Sequence, residues 1–298
     1  MKSQSRLIRL NGNRKEKRMK KSLFKNNWKS IQKTRRRFLS ILLMALLGVG
    51  FYAGLAATSP DMLDSLDRYV DTSKMYDISI RSTLGLTSDD VESLQAIPEI
   101  ETVQSVQTKD ATIQIENQES IAKWIEYHDN VNVPFVVAGR EPEKSDECLL
   151  DKNYLLAGNM EDYLGKTIQI ENDDVDEHGH PIFTIKQFTI VGIAESPAYI
   201  SSERGSTSIG NGKISCFIYV KDDVIQMDYD TEIDITVKGA RQEITNSDAY
   251  LNRVQVVKQK IEDQKEERQE ARHQQLVQKA TDKLEDSQKE YDENKEKV

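Results

Sequence analysis

The residues that build most metal and nucleophile centres are scarce: two cysteines and four histidines in 298 residues. Cys148 and Cys216 sit in apolar, strand-like contexts (ECLLD and SCFIYV) with no CxxC spacing, which excludes a zinc ribbon or a dithiol redox motif. Two separately buried thiols are the plainer reading, although an extracellular location permits a disulfide between them. A phosphate-binding loop is missing as well. Gly165-Lys166-Thr167 looks like the end of one, but the glycine required five positions earlier is Met160, and the segment leads into the strand-like TIQIEN rather than a helix. The serines at 201–208 lack a nucleophile elbow, and the histidines lack triad spacing. His178 and His180, among Asp173, Asp174, Asp176 and Glu177, have ligand chemistry for a divalent cation. An exposed hairpin tip accounts for the same residues, and no third ligand is fixed on a helix or strand. No catalytic, metal or cofactor residue is assigned, and the chain is read as not an enzyme.

Charge is absent from one long stretch. From Phe38 to Ala57, FLSILLMALLGVGFYAGLAA runs for twenty residues without a charge. As a helix it is about 30 Å long, the thickness of a bilayer's hydrocarbon core, and is read as membrane-spanning. Residues 1–37 hold 15 Lys and Arg against one acid, Glu16; the whole-chain charge of −9 less this segment's +14 leaves −23 behind the span. Short basic flanks stay in the cytoplasm, so the expected topology puts the N-terminus inside the cell and the bulk of the chain outside the plasma membrane. A secretory signal cleaved near Gly54-Leu55-Ala56 is the competing reading, but signal cores run about 7–15 residues behind a short head. The acidic body argues against a nucleic-acid partner, and the basic head suits a lipid bilayer surface.

Within the basic cytoplasmic segment 1–37, Leu23, Phe24, Trp28 and Ile31 recur at helical spacing among Lys25, Lys29, Lys33 and Arg35 to Arg37. That pattern predicts an amphipathic elbow helix at headgroup level; a cytoplasmic extension of the span is the alternative. Within 38–57, Gly50 and Gly54 form a GxxxG pair whose small face admits a close helix partner, a pattern that also arises by chance in apolar helices. Residues 58–247 mix short strand patterns with a few helices, as in an extracellular α+β domain. Ser59-Pro60-Asp61 is predicted to open a fresh helix, Tyr76–Ser82 to be a strand, and Thr87 with Asp90 to form a capping box. Ile121–Tyr127 reads as a helical turn, Val133–Gly139 as a buried strand, and the Ser/Gly-rich 195–213 as a mobile loop. Over 248–298 there is no Gly or Pro, and Glu, Lys and Gln dominate, which predicts a helical arm of roughly 75 Å. Tyr250, Val254, Val257 and Ile261, then Val277, Ala280, Leu284, Ser287 and Tyr291, step by three and four residues in two registers one residue apart, a weak candidate coiled coil. The charged pattern reaches Val298 without a capping signal, so the arm is expected to be truncated.

The basic WKSIQKTRRRFLSILLMALLGVGFYAGLAATSPDM (Trp28 to Met62) is followed by YDISIRSTLGLTSDDVESL (Tyr76 to Leu94), AGREPEKSDECLLD (Ala138 to Asp151), LGKTIQI and FTIVGIA (Phe188 to Ala194). In this order the segments resemble the N-terminal portion of an FtsX-like ABC transporter permease with a MacB-like periplasmic core domain, of the large Gram-positive kind. The resemblance implies a permease that hydrolyses no ATP itself. A separate cytoplasmic ABC ATPase subunit would dock from inside and move the extracellular domain through the membrane helices. Further permease helices, or a second permease copy, would stand beside the span. On this resemblance Trp28, Arg35, Arg36 and Arg37 lie on the ATPase side of the membrane interface, and Gly50 and Gly54 pack against a neighbouring helix. A reading from another class is a signal-anchored extracellular adaptor that binds a cell-envelope partner through its helical arm, with no ATPase.

Overall fold

A computed structural model describes residues 25, 26, 28, 29, 32–155, 159–176 and 178–296. Leu23, Phe24 and Ile31 of the expected elbow lie outside the described residues, as does Glu177. The chain divides into two compact units, Met1–Leu63 and Asp64–Val298.

The apolar stretch is the middle of helix α1, Arg35–Thr72. It is long and apolar enough to cross a membrane, and none of its apolar window is buried. The fresh helix expected at Ser59-Pro60 is corrected: the chain stays helical through Pro60. A Ser-Pro start needs a break ahead of it, and Ala56, Ala57 and Thr58 supply none. Pro60 forfeits one backbone bond and crowds the preceding turn, a cost of about 3 kcal/mol. One turn earlier the Thr58 hydroxyl donates to the Gly54 carbonyl at 2.8 Å.

The second unit holds two sheets. In the smaller, β1 (Ile78–Leu86), β10 (Asp230–Val237) and β2 (Ile100–Val106) lie antiparallel with β10 in the middle. One face packs on α2 (Ser88–Gln95) and on the root of α3 (Asp248–Glu296), around Leu94, Ile97, Ile233, Ile235 and the fully buried Val257. Alternate residues Ser79, Arg81, Glu232 and Asp234 therefore point to the other face. The capping box forms as expected, with the Thr87 N–H donating to Asp90 at 2.8 Å.

The larger sheet is made from the chain between β2 and β10. It contains β3 (Thr108–Ile115), β4 (Gln118–Glu126), β5 (Phe135–Gly139), β6 (Glu147–Asp151), β7 (Thr167–Ile170), β8 (Gln187–Glu195) and β9 (Cys216–Val220). The order is β5-β8-β6-β9-β4-β3-β7, and β7 pairs back onto β8, so six strands close a barrel and β5 hangs on its rim. Trp124 fills the interior against Phe188 and Phe183, with ring centroids 4.7 and 5.5 Å away. Burying a ring of that size contributes on the order of 3 kcal/mol. Gln107 alone links β2 to β3, and its side chain exchanges hydrogen bonds with the Met227 backbone on the return path to β10, at 3.0 and 3.1 Å.

Three further expectations are corrected. Ile121–Tyr127 is not a helical turn: 121–126 lie in β4, which pairs with β3 through the two-residue turn Glu116-Asn117. Glu116 takes a left-handed φ of 55° there without a glycine to announce it. The strand at Val133–Gly139 is an edge and only half buried. The 195–213 segment is anchored at two points, where Arg204 is 5% exposed and the Tyr199 ring lies 4.1 Å from that of Phe217, while 200–203 between them are exposed.

Candidate functional site

In the first unit, Arg35, Arg36 and Arg37 open α1 and are exposed, as is Trp28, which is helical and 56% exposed. The helix has no acid in its first turn. Three guanidinium groups at the positive end of a helix dipole repel it, and an anionic surface such as lipid phosphate offsets that repulsion. Gly50 and Gly54 stand one turn apart, and among the described residues nothing lies within 4 Å of the place a Cβ would occupy on either. A flat, open, small-residue face is what close helix approach in a bilayer requires. The large side chains around it, including Leu39, Leu47, Val49 and Phe51, are exposed and need lipid or another helix to cover them.

In the second unit, α3 is held in two ways as far as Lys279. At its root Tyr250, Val254, Val257 and Ile261 pack on the small sheet, so the first apolar run is used within the chain. The Tyr250 hydroxyl donates to Asp77 at 2.7 Å, and burial raises the Asp77 carboxyl even though the Val237 N–H also donates to it. Farther out the contacts are polar. Lys260 meets Glu99 at 2.6 Å, Arg268 meets Asp90 at 2.8 Å, Arg272 donates to the Leu84 carbonyl at 3.1 Å, and Lys279 meets Asp228 at 3.2 Å. Between α3 and the sheet lies an open cleft of about 400 Å³ lined by Thr87, Asp89, Gln107, Met227, Tyr229 and Asp230, among others. The outer apolar run, with Val277, Leu284 and Tyr291 at 50%, 71% and 63% exposed, is open.

Asp176 Oδ1 accepts from the backbone N–H groups of His178 and His180, both at 2.8 Å, closing the hairpin tip where Val175 bridges Pro181. Among the described residues no group of three His, Cys, Asp or Glu side chains is placed to hold a metal. Gly165 stands in a turn before β7 with φ +82°. Cys148 and Cys216 are separate free thiols, fully buried on β6 and β9, and burial pushes both far up, away from reactivity.

Two clusters escaped the sequence. Arg204 and Asp151 form a buried bidentate pair, with Nε to Oδ2 at 2.6 Å and Nη2 to Oδ1 at 3.1 Å. The signals were a lone arginine in SSERGSTS and an acid closing the apolar ECLLD. Asp234 and Glu232 sit side by side on the polar face of β10, announced only by the alternation of EIDIT.

An apolar helix long enough to cross a bilayer stands ahead of a two-sheet α+β domain in the chain. The chain belongs to the MacB-like periplasmic core domain family, whose sequence model matches residues 38–268. That family's domain is periplasmic or extracellular and is part of ABC transporters, and α1 fits a membrane anchor. Solved structures similar to it include the extracellular domain of the noncanonic ABC-type transporter YknZ from Gram-positive bacteria. That one is 12% identical with a TM-score of 0.34, and the match covers 54% of this chain and 78% of that one. Another is the periplasmic region of MacB from Actinobacillus actinomycetemcomitans, at 14% identity and a TM-score of 0.35, covering 61% and 76%. No curated protein matches the sequence.

Proposed function

We propose that the chain is the N-terminal part of an FtsX-like permease whose extracytoplasmic body is moved by a separate cytoplasmic ABC ATPase, in efflux, lipoprotein handling or envelope signalling. The match over 38–268 carries this reading, because it takes in the span, the body and the root of the arm together. Hydrolysis belongs to the partner subunit, and this chain is not an enzyme. Arg35 to Arg37 and Trp28 lie on the cytoplasmic side, near lipid headgroups and the ATPase. Gly50 and Gly54 face a further permease helix or a second copy.

Purification of the full chain from its own membranes, after mild crosslinking, is expected to bring down a nucleotide-binding subunit in fixed proportion. Protease added to sealed cells is expected to remove the body and spare the head. Recovery without any ATPase subunit, from membranes that contain a full set, overturns the permease reading. It would favour the extracellular adaptor instead, for which the uncovered Val277, Leu284 and Tyr291 on α3 are the supporting observation.

A further inference from the structure

Asp234 lies at the centre of the small sheet's central strand and is 3% exposed. Its Oδ2 accepts from the Asn132 side-chain amide. Asn132 in turn takes the Tyr76 N–H on its Oδ1 at 3.2 Å and gives its own N–H to the Lys74 carbonyl at 3.0 Å, while the Val133 N–H reaches the Ser73 carbonyl at 2.9 Å. One residue, in a left-handed conformation with φ 53°, thus fastens three pieces: the turn after α1, the run into β5, and β10. On the other side of Asp234, the Ser79 hydroxyl and the Arg81 guanidinium both donate to Glu232 Oε1, at 2.6 and 2.7 Å.

Asp234 Oδ1 is left over. It is buried, and among the described residues nothing donates to it. Beside it stand the Glu232 carboxylate, another acceptor, and the Ser79 hydroxyl, which acts to lower the Asp234 carboxyl but gives its hydrogen bond to Glu232 Oε1. A buried ionised carboxylate with one donor and a negative neighbour is costly. A proton on Oδ1 removes the charge and turns the orphan acceptor into a donor towards Glu232. We propose that Asp234 and Glu232 hold one proton between them and that this proton latches the Asn132 corner onto the small sheet, so that the joint loosens when the proton leaves.

The surroundings agree. Burial, then the Glu232 charge, pushes the Asp234 carboxyl up to about 7, with Ser79 and then Arg81 pulling the other way too weakly to compensate. Burial also acts to raise Glu232, but Arg81 and Ser79 outweigh it and hold that carboxyl low. The titratable or charged groups facing the pair are Arg81 on β1, Tyr76 ahead of it, and Tyr199 in the segment after β8, where Asp110 also acts on Tyr199. Both tyrosines are raised, first by burial, and stay neutral. Opposite Asp234 on β2 stands the neutral Gln104.

The folded state keeps a proton that an ordinary aspartate loses near pH 3.9, so stability falls as pH rises from about 4 to about 7 and is level above. If opening restores an ordinary carboxyl, the opening equilibrium rises about 1000-fold over the whole window and about tenfold between pH 6 and pH 8. The test is hydrogen exchange of the full chain in micelles, corrected for intrinsic rates, read at residues 73–76 and 132–133. Wild type is expected to show the rise. Asp234→Asn, which copies the protonated carboxyl, is expected to stay flat at the acid level, and Glu232→Gln to move the midpoint down. A rise of the same size in Asp234→Asn, or none in wild type, overturns the proposal. Should Asp234→Asn not fold, the infrared carbonyl stretch of a protonated carboxyl in wild type decides: it must persist above about pH 5 and vanish near 7.

Discussion

Arg204→Met leaves the Asp151 carboxylate buried with one remaining donor, the Asn153 N–H at 3.0 Å. In the native protein both side chains are almost wholly enclosed, at 4% and 1% exposure, and the pair is bidentate. The guanidinium also lies 4.8 Å from the centre of the Phe217 ring and donates to the Ser201 carbonyl. Removing one partner of such a pair costs about 3–5 kcal/mol, because the other charge stays desolvated. For a body of this size, 1 kcal/mol moves Tm by about 2–4 °C, so the variant should melt roughly 10 °C lower. The double variant Asp151→Asn with Arg204→Met buries no unpaired charge and should recover at least half of that loss. Thermal melts of the solubilised chain, followed by near-UV circular dichroism, measure both. Brief proteolysis reports whether 196–203 has come loose, as it should in the single variant only. A single-variant loss below about 1 kcal/mol, or a double variant no better than the single, refutes the reasoning that this ion pair pins the segment.

Two other outcomes follow from the geometry. Exposed ion pairs are each worth about 0.2–1 kcal/mol, and raising salt from about 0.15 M to 1 M shortens the screening length from about 8 to 3 Å. Hydrogen exchange over 262–280 of α3 should therefore accelerate in high salt while 250–261, held by Val257 and Ile261, stays protected; an equal response of both halves contradicts the two-part attachment. Gly139 and Gly165 both have left-handed φ, of +77° and +82°, but only at Gly139 does a Cβ meet backbone, 2.2 Å from the Val191 carbonyl. Gly165→Ala should cost about 1 kcal/mol and Gly139→Ala at least twice that in melting experiments, and equal costs would show that the close β5–β8 approach is not what requires the glycine.

The elements legible in the sequence were those whose signal is carried by the element alone. The alternation at Tyr76–Ser82 and the Thr87/Asp90 box depend on no distant residue. IAKWIE was not legible, because apolar residues at 121, 122, 124 and 125 satisfy a helical face and a strand buried on both sides equally well. Its partner β3 decides, through a turn that lacks glycine. The rim position of β5 is likewise a property of which strands stand beside it. The same limit applies to the polar clusters: Asp151 and Arg204 are 53 residues apart, and Asn132 and Asp234 are 102 apart. Trp28, Arg35 to Arg37, Gly50 and Gly54 were singled out from local composition alone, and all that the structure adds is that the first four are exposed and that the space beside the two glycines is open.

The two apolar runs of α3 lie on two different faces of the helix. As a single seam they look like a coiled coil with a one-residue slip. At about 100° per residue, however, Tyr250, Val254, Val257 and Ile261 share one stripe, and Arg268, Arg272, Gln275 and Lys279 continue that same stripe. Every one of these residues that touches the body does so from this side, first through apolar and then through charged contacts. Val277, Ala280, Leu284, Ser287 and Tyr291 are centred about 130° further round. The break in register is therefore a change of face. The helix spends one stripe on its own domain as far as Lys279, where the partner residues are acids on α2 and ahead of β10, and it carries a second, shorter apolar stripe that its own domain leaves uncovered.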